Sequence, residues 1–531
     1  MKMRSEIRKQ EFIRISIELT TLFAVLLGVF TPRMSGIAGV SYPRLQLSSI
    51  MVTIATLIIL LFKKNLRFPA LKNIVLGLIF PLFLLVTSIM DSSVSLSLIG
   101  NSERNLGAIT YLTCFLFFFV GLILKLNSQF AIIRILATTL IFELIRLFID
   151  FFINKNSAKS GIFYNSNGES FFLSIMLTFL SIYLIEKLRT KSSLAIVVPM
   201  ITLFDVLILN WIGSLQGIIG FILSAVLYLI YRANPDGTSY SNLVTITLFG
   251  FLTAFLSFVS IKSLPRTTVI NSNSFYERLE IYKTATLGIQ QHLFFGAGID
   301  RFNEVYFRFN LTENFKLVDN AHSVPLQLLA TIGLFGLLAW GILFIAAVRT
   351  PIQNKAPIDK ALYFALLTYL FTGMFGIQVP GIEFIVYLIV GGVIAREPIG
   401  KPIKPSITAR NIQVVVLIMF LVVSYIQFST YLSHVKSLNE ISRSKGDFNK
   451  GKPNLYNKLN DIDDVGILLK VGRLSIVAQD KELGLRVMER MINLNSQDQR
   501  TIALIFELAN NWGDSDLVKI GNELSVSAKG Y

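Results

Sequence analysis

Residues 321–348 read AHSVPLQLLATIGLFGLLAWGILFIAAV, and this stretch decides the fold class of the chain. No charged residue stands between Ser323 and Arg349. A helix of about 20 apolar residues crosses the hydrocarbon core of a bilayer, so the stretch predicts a membrane-spanning helix. His322, one of only three histidines in the chain, stands directly before it. A titratable imidazole is thereby placed at a membrane boundary.

The rest of the chain has the same character. It has 531 residues, of which 53% are hydrophobic and 15% charged, and its mean hydropathy is +0.62. The apolar residues form solid runs, whereas strands of a membrane β-barrel alternate polar and apolar residues. The composition therefore predicts an all-α, polytopic membrane protein.

We predict about thirteen membrane spans from the apolar runs. They lie near residues 12–30, 47–62, 71–89, 106–124, 131–153, 171–186, 194–211, 216–231, 243–261, 324–348, 361–376, 380–395 and 411–432. A large loop over residues 261–322 separates the ninth span from the tenth.

The short loops alternate between a set rich in Lys and Arg and a set poorer in charge. Basic loops stay in the cytoplasm, which predicts a cytoplasmic N-terminus and an extracytoplasmic loop 261–322. An odd number of spans places the C-terminal residues outside as well. The same rule accounts for most of the net charge of +16 without a nucleic-acid partner.

We divide the chain into a transmembrane domain over residues 1–432 and an extracytoplasmic domain over residues 433–531. In the second domain, apolar residues recur at helical spacing in DVGILLKVGRLSIVA, KELGLRVMERMINL, QRTIALIFELANNW and SDLVKIGNELSVSA. Four short helices with this pair-to-pair spacing suggest a small helical repeat of the tetratricopeptide kind.

Within the large loop, Ser274 and Glu277 have the spacing of a capping box, which predicts a helix through FYERLEIYKTATLGIQQ. Gly296 and Gly298 predict a turn after it. Arg278 would then lie near the first helical turn, where the helix start adds positive charge. A guanidinium there suits a diphosphate. The alternative is a solvated surface arginine without a fixed partner.

His322 also has two interpretations. An imidazole titrates near neutral pH and can accept a proton from a sugar hydroxyl. Asp319, three residues upstream, could orient its ring. Alternatively, the histidine caps a helix and DNAHS is an ordinary turn. Glu143 with Arg146 in the fifth span, and Asp205 in the seventh, are intramembrane groups that fit a structural role equally well.

Several motifs together resemble the O-antigen ligase and O-antigen polymerase superfamily. His322 and Ser323, followed after nine residues by Gly333 and then by Gly336, reproduce its histidine motif. ERLEIYKTATLGIQQHLFFGAGIDRF resembles its arginine-led helix and G-x-G turn. GNSERNLG and GIFYNSNGES resemble its early external motif and its asparagine-bearing loop. The resemblance spans roughly residues 10–430.

The resemblance implies a metal-independent, GT-C-type membrane glycosyltransferase without a cofactor. Such enzymes take a glycan from an undecaprenyl diphosphate carrier at the outer side of the cytoplasmic membrane and pass it to a glycan, a lipid or a protein. His322 would be the base and Arg278 the diphosphate binder. Arg104 and Arg301 would contact diphosphate or glycan. Gln216 stands where many relatives have an arginine, which removes one expected diphosphate contact.

Two other functions remain open at this point. The chain could be a flippase or transporter for lipid-linked glycans, or a scaffold for polysaccharide assembly without catalysis. Transporters tend to show internal repeats, and the single long loop 261–322 makes the chain asymmetric instead. The acceptor is not decided by the sequence, and the C-terminal domain could bind an envelope protein or an acceptor.

Overall fold

The structure is a computed structural model. It describes residues 2–30, 42–62, 66–91, 94–100, 104–128, 130–152, 166–188, 194–212, 214–233, 273–309, 318–350, 356–395, 425, 453, 455–457, 459–462, 465–495 and 498–529. The predicted spans near 243–261 and 411–432 lie outside these ranges, apart from Tyr425.

The described part of the chain is helical and contains no strand, which confirms the predicted all-α class. Before the large loop the helices are α1 (Lys2–Phe30), α2 (Tyr42–Leu61), α3 (Leu71–Met90), α4 (Val94–Ile99), α5 (Ala108–Asn127), α6 (Ala131–Phe152), α7 (Ser166–Leu188), α8 (Leu194–Ile212) and α9 (Leu215–Ala233). The large loop contains α10 (Asn273–Gln291) and α11 (Phe302–Phe309). They are followed by α12 (Val324–Val348), α13 (Pro357–Gly373) and α14 (Pro380–Ile394).

Each predicted span that falls on described residues coincides with one of these helices. Six of the described helices, namely α1, α3, α5, α7, α9 and α12, are long and apolar enough to cross a membrane. Shorter apolar helices cover Leu45–Leu61 and Pro380–Ile394. The chain is therefore a multi-pass membrane protein, and the count of about thirteen spans stays a prediction.

Helix α5 forms the centre of the bundle, with nearly all its side chains buried. It packs closely against α14 because glycines on both helices let the backbones approach. A Cβ on Gly121 would collide with the carbonyl of Leu388, and one on Gly391 with the carbonyl of Phe118. Beside this crossing the rings of Phe117 and Phe384 stack with centroids 4.9 Å apart.

Polar contacts fix the end of the bundle that we predict to be cytoplasmic. The backbone N–H of Arg67 donates to Asn127 Oδ1 at 2.8 Å, which joins the start of α3 to the end of α5. Lys125 forms an ion pair with Asp359 at the start of α13. These pairs bring α3, α5 and α13 together at one end. The His322 loop lies where α12 begins and α13 ends, at the other end of the bundle.

The C-terminal residues form four further helices, α15 (Val465–Val477), α16 (Lys481–Asn495), α17 (Gln499–Trp512) and α18 (Ser515–Lys529), after a short 3-10 helix at Leu459–Asp461. The predicted helical segments match all four. Helix α15 pairs with α16 and α17 pairs with α18, and the four share an apolar core. The tetratricopeptide-like repeat stays a prediction.

The C-terminal helices contact the large loop. Phe307 of α11 packs against Ile502 of α17, with Phe506 and Leu524 around them. Asp498, before α17, lies beside the side chain of Asn303 in α11. The C-terminal helices therefore pack against the large loop, and their location outside the cytoplasm stays a prediction.

Candidate active site around His322

The helix after His322 is interrupted, and the interruption is what holds the large loop. Gly333 has φ 68° and ψ −172°, so α12 consists of two helical parts. The carbonyls of Ala330 and Thr331, released by the break, accept hydrogen bonds from the N–H groups of Ala297 and Gly298 at 3.0 and 2.9 Å. The N–H of Leu334 donates to the carbonyl of Leu293 at 2.7 Å. Buried backbone groups are satisfied in this way, as a membrane environment requires.

This arrangement explains the glycines of both motifs. Gly296, Gly298 and Gly333 all have positive φ, a region that side chains with a Cβ rarely adopt. A Cβ on Gly296 would collide with the backbone of Thr331, and one on Gly333 with the backbone of Phe294. The G-x-G turn and the broken helix therefore fit together backbone to backbone.

His322 itself has a left-handed backbone, with φ 51°. Its N–H donates to Asn320 Oδ1 at 2.7 Å. The preceding N–H, that of Ala321, donates to Gln327 Oε1 at 2.8 Å. Two side chains therefore hold the loop on its N–H side and fix the imidazole just before α12.

Arg278 and His322 meet through a tyrosine. Tyr282 lies one turn after Arg278 on α10, and its hydroxyl donates to the carbonyl of His322 at 3.2 Å. The guanidinium of Arg278 hydrogen-bonds to the same phenol oxygen. Burial raises the pKa of Tyr282 to about 12, against the lowering effect of Arg278. The phenol therefore keeps its proton at neutral pH.

A second contact ties Arg278 to the membrane helices. Its Nη1 donates to the carbonyl of Phe375 at 3.4 Å, in the turn between α13 and α14. The guanidinium thus lies among three segments, namely α10, the His322 loop and the α13–α14 turn. Arg278 stands early in the second turn of α10, since the helix begins at Asn273, and this is near the first turn as predicted. The effect of the helix start is strongest within the first turn. The side chain of Ser274 lies outside the described residues.

Arg104 and Asp319 form a two-pronged ion pair. Arg104 Nε donates to Asp319 Oδ2 at 2.7 Å and Nη2 to Oδ1 at 2.6 Å. Burial raises the pKa of the Asp319 carboxyl, but the charges of Arg104 and His322 outweigh it, so the pKa lies below its usual value. Asp319 is therefore a carboxylate at neutral pH, close enough to His322 to interact electrostatically.

Arg301 points elsewhere. Its side chain is 9% exposed and forms ion pairs with Asp91 Oδ1 at 3.2 Å and with Glu304 at 3.7 Å. The neighbouring Asp300 accepts from the N–H of Leu106 at 3.2 Å. Both residues fasten the start of α11 to the early external segment around α4.

Gln216 belongs to a separate polar cluster. Its Nε2 donates to the carbonyl of Asn167 at 2.6 Å, and Ser214 Oγ donates to Asn167 Oδ1 at 2.9 Å. The turn before α9 is thereby bound to the start of α7, in the asparagine-bearing segment. Arg146 of α6 pairs with Glu143 and, at 3.5 Å, with Glu169 of α7. The side chain of Asp150 lies outside the described residues.

The structure therefore brings four of the six predicted site residues to one place, namely Arg278, His322, Asp319 and Arg104. Sequence reasoning missed Tyr282, which connects two of them. Its spacing of four residues from Arg278 places both on one helix face. That signal was present, but nothing in the sequence indicated that the face meets the His322 loop.

One comparison with known proteins gave a match. Residues 200–341 match the family model described as O-antigen ligase. This range includes Gln216, Arg278, Arg301, Asp319 and His322, whereas Arg104 lies before it. Comparisons with curated proteins and with solved structures gave no match. Over residues 200–341, the family match confirms the resemblance that was derived from the motifs.

Proposed function

We propose that this protein transfers or polymerises oligosaccharide from an undecaprenyl diphosphate carrier, at the outer face of the cytoplasmic membrane. The reaction joins the anomeric carbon of the donor glycan to an acceptor hydroxyl. The bond from that carbon to the carrier diphosphate breaks, and the hydroxyl loses its proton. A base for the proton and positive charge for the leaving diphosphate are therefore needed.

His322 is the proposed base, and Arg278 is the proposed binder of the diphosphate. The observation that carries this assignment is their junction at Tyr282, whose hydroxyl contacts both the guanidinium and the His322 backbone. The phenol connects the guanidinium to the backbone of the residue that carries the imidazole. Transfer from a diphosphate leaving group to a hydroxyl requires that a cation and a base be held at one site. Side chains can supply both roles without a metal ion.

Asp319 is proposed to stabilise the imidazolium that forms when His322 takes the proton. Its lowered pKa supports this, since the carboxylate is charged throughout the neutral range. Arg104 is proposed to hold Asp319 and to lend positive charge to the donor site from its exposed side. Its side chain is 15% exposed and its guanidinium is already engaged by Asp319. We therefore propose positioning as its main role.

The resemblance implied that Arg301 contacts diphosphate or glycan, and it placed Gln216 at a position of the substrate site where relatives have an arginine. Their hydrogen bonds and ion pairs support a different proposal, in which both stabilise the walls of the site. Arg301 holds α11 against Asp91, and Gln216 holds the turn before α9 against Asn167. Loss of either would then loosen the site without removing a diphosphate contact.

The acceptor can be a glycan, a lipid or a protein, and the C-terminal helices are placed to assist in its choice. They contact α11, which directly follows the G-x-G turn of the site. We propose that residues 433–531 lie outside the cytoplasm and bind an envelope partner or acceptor. Removal of residues 440–531 should then reduce partner binding or activity.

The test is a strain in which His322→Ala replaces the wild-type protein. The surface glycan should disappear from a gel while the carrier-linked donor accumulates. His292→Ala is the matched control. His292 directly follows α10 in the same loop, and its backbone hydrogen bonds are with Gly288 and Gly296. A transporter or a scaffold would work without the imidazole. Unchanged glycan in the His322→Ala strain would therefore refute the proposed function.

A further inference from the structure

The backbone of His322 adopts a conformation that needs outside support. A non-glycine residue with φ 51° has a left-handed backbone, which costs roughly 1–2 kcal/mol for a residue with a Cβ. Such a conformation persists where surrounding contacts determine it. On the N–H side, the contact is the side chain of Asn320. On the carbonyl side, it is the hydroxyl of Tyr282.

Tyr282 is suited to this task. Its side chain is 3% exposed, so the hydrogen bond is shielded from water. Because burial raises its pKa to about 12, the phenol keeps its proton and stays a donor at neutral pH. The carbonyl of His322 can only accept, so the direction of this bond is fixed. The oxygen of the phenol then remains open to the guanidinium of Arg278.

We propose that Tyr282 is a positioning residue. By binding the guanidinium of Arg278 and the backbone carbonyl of His322, it sets the distance between that guanidinium and the imidazole of His322. This inference rests on the proposed function, since it concerns the geometry of the same site. It assigns no substrate contact to Tyr282. The residue acts through the backbone of His322 and through the side chain of Arg278.

The chain offers a closely matched control in Tyr306. This tyrosine is also 3% exposed and also hydrogen-bonds to a neighbour, Glu280 Oε1 of α10, at 3.2 Å. Tyr282→Phe and Tyr306→Phe therefore each remove one phenol hydroxyl from a buried tyrosine in the same apolar cluster. Only the first removes a contact to the His322 loop.

Two measurements on the full-length protein test the proposal. The first is hydrogen–deuterium exchange of the peptide covering residues 318–324, without substrate. Tyr282→Phe should accelerate exchange there about ten-fold and leave the other external helices unchanged, whereas Tyr306→Phe should not affect it. The second is the transfer rate with an undecaprenyl-diphosphate-linked glycan. Tyr282→Phe should lower kcat about ten-fold, and Tyr306→Phe should stay within about two-fold of wild type.

The pH profile separates positioning from a general loss of folded protein. A smaller amount of folded enzyme scales the profile without moving it. An imidazolium displaced from the Asp319 carboxylate loses its stabilisation, so the acid limb of kcat/KM should move to lower pH in Tyr282→Phe. Asn320→Ala removes the other support of the His322 backbone. It should give the same acceleration of hydrogen–deuterium exchange and the same shift of the acid limb of kcat/KM to lower pH. It serves as the second variant if Tyr282→Phe does not accumulate.

The outcomes for the inference and for the function differ. Equal exchange and equal rates in Tyr282→Phe and Tyr306→Phe would overturn the positioning role, even if His322→Ala is inactive. Full activity of His322→Ala would overturn the proposed function instead. In that case the exchange measurement alone decides whether Tyr282 holds the His322 loop.

Discussion

The guanidinium of Arg104 and the carboxylate of Asp319 meet through two parallel hydrogen bonds of 2.7 and 2.6 Å, although 215 positions separate them in the chain. One residue follows α4 in the early external segment, and the other precedes His322. The pair therefore connects two of the external motifs across the site. A planar guanidinium matches a carboxylate in this way, whereas an ammonium group does not.

Arg104 and Asp319 should act as a unit, so that loss of either one reduces transfer activity. Arg104→Lys keeps the charge but not the two-pronged contact, and we expect it to lower transfer activity by about ten-fold. Asp319→Asn should lower it at least as much. Because both residues act through one contact, the double variant should have about the same transfer activity as the less active of the two single variants. If the fold losses of activity in the two single variants multiply in the double variant, the two residues act separately.

The same pair gives a pH dependence of stability with a definite sign. Asp319 has a lowered pKa in the folded protein, so it contributes stability that is present above its ordinary pKa of about 3.9 and lost as the pH falls through the lowered value. The difference in Tm between wild type and Asp319→Asn should not narrow from about pH 8 to pH 5, since a protonated His322 adds to the charge that Asp319 pairs with, and it should narrow below about pH 4. A difference that already vanishes between pH 7 and pH 5 would mean a raised pKa.

Gly333 should not tolerate a side chain. Gly333→Ala forces a Cβ into a backbone conformation, φ 68° and ψ −172°, that is nearly restricted to glycine and costs on the order of 1–3 kcal/mol. It also forces contact with the backbone of Phe294, so Tm should fall and the turn around Phe294 should separate from α12. Gly341→Ala on the same helix is the control, because its Cβ would meet nothing within 4 Å. Equal Tm values for the two variants in detergent would contradict the break in α12.

Much of the helical fold could be predicted from the sequence, because span length and charge alternation are local properties. The helices of the C-terminal residues were predictable for the same reason, from apolar spacing. The break in α12 was not, since an isolated glycine inside an apolar run is normally tolerated. The partners of Arg301 and Gln216 were also missed, because ion pairs between distant segments leave no local pattern. Arg278 and His322 were found through their motifs, and Tyr282 was not.

The C-terminal helices provide a further test of packing. Asp498 accepts from the N–H of Arg500 at 2.8 Å, pairs with its guanidinium at 2.6 Å and lies beside Asn303 of α11. Asp498→Ala leaves Arg500 buried without its carboxylate and should cost about 3 kcal/mol, with release of the helices from α11. Limited proteolysis of the full-length protein would detect the release.

The control for this variant is the exposed pair Arg486 and Glu482, whose side chains are 54% and 63% exposed. Glu482→Ala should cost no more than about 0.5 kcal/mol, because water screens the charges. If both variants leave the proteolysis pattern of the wild type unchanged, then the contact between the C-terminal helices and α11 is not held by Asp498.

The central claim is that the imidazole of His322 takes the proton of the acceptor while the carrier diphosphate departs beside Arg278. The most direct measurement is the release of undecaprenyl diphosphate from a carrier-linked glycan by the purified full-length protein, with acceptor present. Wild type and His292→Ala should release the carrier at similar rates, and His322→Ala should release it at least about a hundred-fold more slowly. Release by His322→Ala at the wild-type rate would contradict the account.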